Sequence, residues 1–196
     1  LKQSDETFVG VYGGAFDPPH MGHLIVPGLI FGRSKARHIF VIPSYAHPFA
    51  KRMTPFDARV AMCNAAFKAY GDSVTVSPIE KEIATENQPV YTIDLLNHLS
   101  RRNPKTRIRL IIGADAYASR GQWKAFEEIE EQYSPLIVPR FGHEATHATE
   151  GIPSPPNIAS RDFRSNPSSL ELRGMIPKNV LEMIEERSLY KKDSNP

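Results

Sequence analysis

One eleven-residue run carries most of the chemistry that can be read from this chain: Gly13-Gly14-Ala15-Phe16-Asp17-Pro18-Pro19-His20-Met21-Gly22-His23. The glycines follow a short apolar stretch, Phe8 to Tyr12, and let backbone N–H groups approach a ligand closely. Pro18-Pro19 blocks helix before His20, so a helix starts near His20 to Gly22, where its unpaired N–H groups and dipole favour an anion. His20 and His23 are three apart and share a face of the first turn. Donors converging on one point in this way suit a polyphosphate. Two common phosphate-binding patterns are absent: Gly10, Gly13 and Gly14 do not form G-x-G-x-x-G, and there is no G-x-x-x-x-G-K-S/T.

The elements that must hold this run are short strands alternating with longer helices. Strands are expected at Phe8–Tyr12, His38–Ile42, Val74–Val76, Ile108–Ile112 and between Pro135 and Pro139. Helices are expected over His20–Ser34, Pro55–Ala69, Thr92–Arg101, Trp123–Glu131 and Pro177–Ser188, the last with Pro in its first turn. The alternation predicts an α/β fold: a Rossmann-like, doubly wound parallel sheet of five or six strands with a small helical C-terminal part. The whole chain, 1–196, reads as a single domain. Residues 1–7 are polar and frayed, 142–157 form a surface loop, and 158–190 supply a C-terminal segment and helix.

Composition narrows the function classes. With 196 residues and 40% hydrophobic content, one packed core is available. A balance of 24 basic and 22 acidic residues gives a net charge of +2, too little to suggest a nucleic-acid partner by charge alone. The single cysteine, Cys63, excludes an internal disulfide framework and a Cys-based zinc finger. No apolar run reaches the ~20 residues a membrane span needs, and no secretory signal is visible at Leu1. A cytoplasmic enzyme, free of nucleic acid and membrane, is the expectation, and a homo-oligomer is left open.

The glycine- and histidine-containing run resembles the G-x-F-D-P-x-H-x-G-H signature of the nucleotidyltransferase superfamily, and the chain as a whole is similar to bacterial nicotinate mononucleotide adenylyltransferases. Four further segments carry the likeness. Tyr91-Thr92-Ile93-Asp94-Leu95-Leu96 resembles the family's Y-T-x-D-T-L. Ile112-Gly113-Ala114-Asp115 resembles I-G-A-D, with Trp123 at the family's distance beyond it. Val138-Pro139-Arg140-Phe141-Gly142 resembles V-x-R-P-G, and Ser188-Leu189-Tyr190 resembles a closing G-L-Y. The likeness runs in order over roughly residues 8–190. For the family's second phosphate motif, I-S-S-T-x-I-R, there are two candidates, Ile158–Arg164 and Ser168–Arg173. Arg164 lies 13 residues before Pro177 and Arg173 only four, and this spacing favours Ser160 and Arg164.

The resemblance implies transfer of AMP from ATP to nicotinate mononucleotide, with Mg²⁺ arriving on the triphosphate. It implies catalytic roles for His20, His23, Lys51 and Arg164. ATP contacts would come from Gly14, Ala15, Phe16, His20, His23, Gly113, Asp115, Arg140, Ser160 and Arg164. Mononucleotide contacts would come from Gly13, Asp17, Lys51, Tyr91, Thr92 and Trp123. His47 stands where the family has a second basic-loop residue. Trp123 could equally be core packing, and Leu95 replaces the family's usual Thr. No carboxylate cluster suggests a dedicated metal cage. The attacking phosphate oxygen is anionic near pH 7, so no general base is required, and catalysis should lie in positioning and charge neutralisation. Enzymes using nicotinamide mononucleotide or phosphopantetheine, and a non-catalytic nucleotide sensor, share the first motif.

Overall fold

The computed structural model describes residues 6–46, 53–85, 89–142 and 148–191. Its framework is a five-stranded, wholly parallel sheet in the order β3-β2-β1-β4-β5, built from β1 (Phe8–Gly14), β2 (Ala36–Pro43), β3 (Val74–Val76), β4 (Ile108–Gly113) and β5 (Leu136–Val138). The helices are α1 (Met21–Arg33), α2 (Phe56–Phe67), α3 (Ile79–Ile83), α4 (Thr92–Arg102), α5 (Ala114–Ala118), α6 (Phe126–Tyr133), α7 (Ser160–Ser165), α8 (Leu170–Gly174) and α9 (Lys178–Glu186).

Strand residues alternate between the two faces, and the core divides accordingly. Tyr12, Ile39, Val41, Ile111 and Val138 pack with Val26 and Ile30 of α1, Met62, Cys63 and Phe67 of α2, and Val180 and Ile184 of α9. Their neighbours in sequence, Val11, Ile42, Leu110, Ile112 and Ile137, pack with Ile93, Leu96 and Leu99 of α4 and Ile129 of α6. The strand order reverses direction between β1 and β4. In open α/β sheets, ligands bind outside the carboxyl ends of the strands at such a point.

Three sequence expectations need correction. The helix expected from Trp123 begins only at Phe126, because Ala125 takes a left-handed φ of 51° and Trp123 instead ends a 3₁₀ turn over Arg120–Gln122. The helix expected to reach Ala69 stops at Phe67 and tightens into a 3₁₀ segment, Lys68–Ser73, turned by Gly71 at φ 53°. The described part of 142–157 is not a free surface loop. Thr149 exchanges hydrogen bonds with Ile137, donating its N–H to the carbonyl and accepting the Ile137 N–H on Oγ1, both at 2.9 Å. Ile152 is buried, so the segment covers the outer edge of β5. The short helices α3, α5 and α8 span too few residues for periodicity to reveal them.

Candidate active site

At the switch point lies a narrow cleft of about 40 Å³ whose lining includes Tyr12, His20, His23, Gly113, Arg140 and Ile158. These residues come from the ends of β1 and β4, the start of α1, the residues just past β5 and the approach to α7, so five chain-distant pieces meet at one sheet edge.

The histidines form the floor of the cleft. His20 is the residue before α1, with extended backbone, and its side chain is buried. Its N–H donates to Nδ1 of His23 at 3.3 Å, and the two rings stack with centroids 3.7 Å apart. Phe16 meets His23 edge-on at 5.0 Å. Gly22 makes room for this arrangement: a Cβ there would lie 3.1 Å from the His20 ring and 3.2 Å from Ile158. The Nδ1 atom of His20 is buried without a hydrogen-bond partner, an expensive condition that a ligand donor or acceptor would relieve. Burial, reinforced by the Arg140 charge, pushes His20 down to about 3. Burial, the neighbouring His20 and Arg140 hold His23 well below the ordinary histidine range. Both imidazoles are therefore neutral at pH 7, each able to donate one N–H. The first turn of α1 holds no acidic residue, which leaves its dipole available to an anion.

Arg140 lines the cleft and pairs with Asp115 beside it. Arg140 Nη1 lies 3.4 Å from Asp115 Oδ2, and Arg140 Nη2 donates to the Ile158 carbonyl at 3.3 Å. Gly14 ends β1, and its carbonyl accepts the Ser44 N–H at 2.9 Å, while the space above Gly13 is open.

Below the cleft the β1–α1 turn is tied down by side chains. Ala15 offers its carbonyl to Arg59 Nη1 at 2.9 Å. Phe16, at a left-handed φ of 47°, buries its ring against Tyr12 and Phe67. The Asp17 carboxylate is 1% exposed and fully engaged: Oδ1 accepts Tyr190 Oη–H at 2.7 Å, and Oδ2 accepts the Thr54 N–H at 3.2 Å and lies 3.9 Å from Arg164 Nη1. Ser160 Oγ donates to the Pro18 carbonyl at 2.9 Å, and Arg164 donates to the Asp17 carbonyl. Of the two candidate Ser–Arg segments, the structure thus brings Ser160 and Arg164 to the turn. Arg173 pairs instead with Glu185 of α9 and lines a separate cavity.

Tyr91, Thr92 and Trp123 gather in a second place on the same sheet edge. Tyr91 precedes α4, Thr92 is its first residue, and Trp123 packs edge-on against Phe126 at 5.5 Å. Lys124 joins the two pieces, with Nζ 4.8 Å from the Tyr91 ring centroid and 2.9 Å from Asp94 Oδ2. These three do not line the cleft at the switch point. Lys51 and His47 lie outside the described residues.

Two buried residues, Arg59 and Glu80, and the partly buried Tyr190 escaped the sequence reading. Arg59 was detectable, being the one basic residue on the apolar stripe of Phe56, Cys63 and Phe67. Tyr190 lay within a noted motif but without a role. Glu80, whose Oε2 accepts the Tyr45 N–H at 2.7 Å, left no signal.

The cytidylyltransferase-like family model matches residues 11–173. A probable nicotinate-nucleotide adenylyltransferase of Myxococcus xanthus is 33% identical, covering 93% of this chain and 94% of that relative. One from Anaeromyxobacter sp. is 32% identical, covering 93% and 96%. This chain belongs to the cytidylyltransferase-like family. Within it, both of these relatives of this family member are named as probable nicotinate-nucleotide adenylyltransferases. The fold agrees: a Plasmodium falciparum nicotinic acid mononucleotide adenylyltransferase, solved with NaAD, superposes with a TM-score of 0.78 at 18% identity, covering 94% of this chain and 98% of that one. Among the described residues no helix is long and apolar enough to cross a membrane.

Proposed function

We propose that this family member transfers the adenylyl group of ATP to nicotinate mononucleotide, giving nicotinate adenine dinucleotide and pyrophosphate. The observation that carries this reading is the stacked, neutral His20–His23 pair at the start of α1, facing Arg140 across the switch-point cleft. It is supported by near-full-length likeness to nicotinate-nucleotide adenylyltransferases.

In this reading the triphosphate lies over the Gly14–Phe16 backbone and the α1 N-terminus. His20 and His23 donate to it, and Ser160 and Arg164 close on it from α7. Asp115 accepts from a ribose hydroxyl once Arg140 turns to phosphate. Gly13, Tyr91, Thr92 and Trp123 hold the mononucleotide, Trp123 as the platform for the pyridine ring and the first N–H groups of α4 as donors to its carboxylate. Lys51 adds positive charge. Asp17, whose oxygens are already engaged, acts from beneath. Among the described residues no group of three or more His, Cys, Asp or Glu could hold a metal ion, so Mg²⁺ would enter with the triphosphate. The chain's own contribution is to align an anionic phosphate with the α-phosphorus and to stabilise charge on the departing pyrophosphate.

Pyrophosphate release with ATP and nicotinate mononucleotide tests the reading. Release should require both substrates and should fall when phosphopantetheine replaces the mononucleotide. Release with phosphopantetheine, or none with either acceptor, would refute it.

A further inference from the structure

Tyr190 sits at the far end of the described chain, yet its hydroxyl reaches the β1–α1 turn. The Tyr190 Oη–H donates to Asp17 Oδ1 at 2.7 Å, and the ring packs edge-on against Phe163 of α7 at 5.8 Å. The preceding chain is bent back to make this possible. Ser188 and Tyr190 both adopt left-handed backbone, at φ 53° and 60°, which non-glycine residues rarely take. Leu189 is fixed by donating its N–H to the Ile184 carbonyl at 2.9 Å. A strained turn directs a hydroxyl onto a carboxylate that is itself 1% exposed.

That carboxylate is where the phosphate-handling pieces join. Asp17 holds Thr54 through its N–H, stands 3.9 Å from Arg164, and offers Arg164 its backbone carbonyl. Arg59, also 1% exposed, bridges the same pieces from below, donating to Ala15 and Thr54 carbonyls at 2.9 Å. Removing the Tyr190 hydroxyl leaves Asp17 Oδ1 buried and short of a donor. The Arg164 guanidinium, already 3.9 Å from Asp17 Oδ2, is a donor able to answer, and it would then turn further onto Asp17 and lose its orientation toward a phosphate.

We infer that Tyr190 is a positioning residue for phosphate binding: by satisfying Asp17 Oδ1 it fixes the carboxylate and carbonyl that orient the Arg164 guanidinium for the triphosphate. The inference rests on the proposed adenylyl transfer only in its choice of ATP as ligand. It assigns Tyr190 no contact with substrate, and its effect must pass through Arg164.

The test is a double-mutant cycle on ATP affinity, measured by calorimetry on the full chain. Tyr190→Phe should raise the Kd for ATP about five- to tenfold, with kcat at saturating ATP within about twofold of the parent. In an Arg164→Ala background the same change should alter the Kd by less than about twofold. An equal loss in both backgrounds, or no loss in the first, would overturn the inference. If Tyr190→Phe does not fold, Asp17→Asn is carried through the same two backgrounds, because an Nδ2 group facing Thr54 and Arg164 disturbs the same junction. Hydrogen exchange separates this outcome from failure of the adenylyltransferase reading. Should the parent fail to bind ATP, Tyr190→Phe should still speed exchange of the Ala15–His20 amides, and unchanged exchange would overturn the clasp itself.

Discussion

Glu80→Gln gives a stability change whose sign depends on pH. Glu80 lies buried on α3, and its carboxylate accepts the Tyr45 N–H at 2.7 Å, where the chain leaves β2 toward the segment containing Lys51. Burial raises its pKa from 4.5 to about 7, against the opposing pull of the Tyr45 N–H and the Arg59 charge. An acid with a folded pKa above its unfolded one keeps its proton longer in the native state. Stability therefore falls as pH rises from 4.5 towards 7, and the loss is complete above 7. At 1.36 kcal/mol per pKa unit the ionised carboxylate costs about 3 kcal/mol at pH 8 and under about 1 kcal/mol at pH 5. A glutamine keeps a carbonyl for the Tyr45 N–H and cannot ionise. Urea denaturation of both proteins should show the variant more stable by about 2–3 kcal/mol at pH 8, with the gain shrinking to about 1 kcal/mol or less at pH 5. The histidines titrate alike in both proteins and cancel from the difference. The same difference at both pH values would show that Glu80 is charged throughout and would refute the argument.

His23→Ala should lower kcat by about 10²–10³ in the pyrophosphate-release assay, the usual loss for one preorganised donor, while its effect on the melting temperature reports the lost stacking on His20 and Phe16. Arg164→Ala should raise the KM for ATP more than that for the mononucleotide, whereas Arg173→Ala, which removes only an ion pair to Glu185, should leave both within about twofold. Trp123→Ala should raise the KM for the mononucleotide about 5- to 100-fold and spare ATP, as loss of about 1–3 kcal/mol of stacking requires. Equal loss for both substrates would mark Trp123 as packing against Phe126. Nicotinate mononucleotide should be preferred over the nicotinamide form by about 10- to 100-fold in kcat/KM, because an amide turns a donor towards the first N–H groups of α4. Equal initial rates at sub-saturating concentration would remove the carboxylate from that helix start.

The strands and long helices were legible because each buries one face and writes its period into the sequence. Val11 and Tyr12, or Ile111 and Ile112, go to opposite faces, and Ile93, Leu96 and Leu99 make one stripe of α4. The β1–α1 turn was legible because glycine, proline and histidine fix its geometry locally. Spacing favoured Arg164 over Arg173, and it is Arg164 that reaches that turn while Arg173 pairs with Glu185. What stayed hidden depends on contacts between distant parts of the chain. Nothing near Asp17 in sequence shows that its carboxylate meets Thr54, Arg164 and Tyr190, so it read as a ligand group. Glu80 looks like an ordinary helix-surface residue until the sheet closes over it. The break at Ala125 followed from a left-handed residue that carries no glycine to announce it.

Each of the site's described guanidiniums already has an acceptor before any ligand arrives, and this shapes how the site can select an anion. Arg140 faces Asp115, Arg164 and Arg59 stand near Asp17, and both histidines are neutral. Any small anion entering the cleft gains little from bulk attraction, because each guanidinium already has an acceptor. A ligand must offer a better acceptor than the resident one, placed at several donors together: the His20 and His23 N–H groups, the α1 N-terminus, and Arg140. On the proposed function, the phosphates of ATP would meet several of these donors together, where a single phosphate would meet fewer. The exchange also leaves Asp115 needing a donor, and a ribose hydroxyl a few bonds from the same phosphates can supply it. Discrimination then comes from the match between donor spacing and ligand length, and it survives ionic strengths that would screen a simple basic patch.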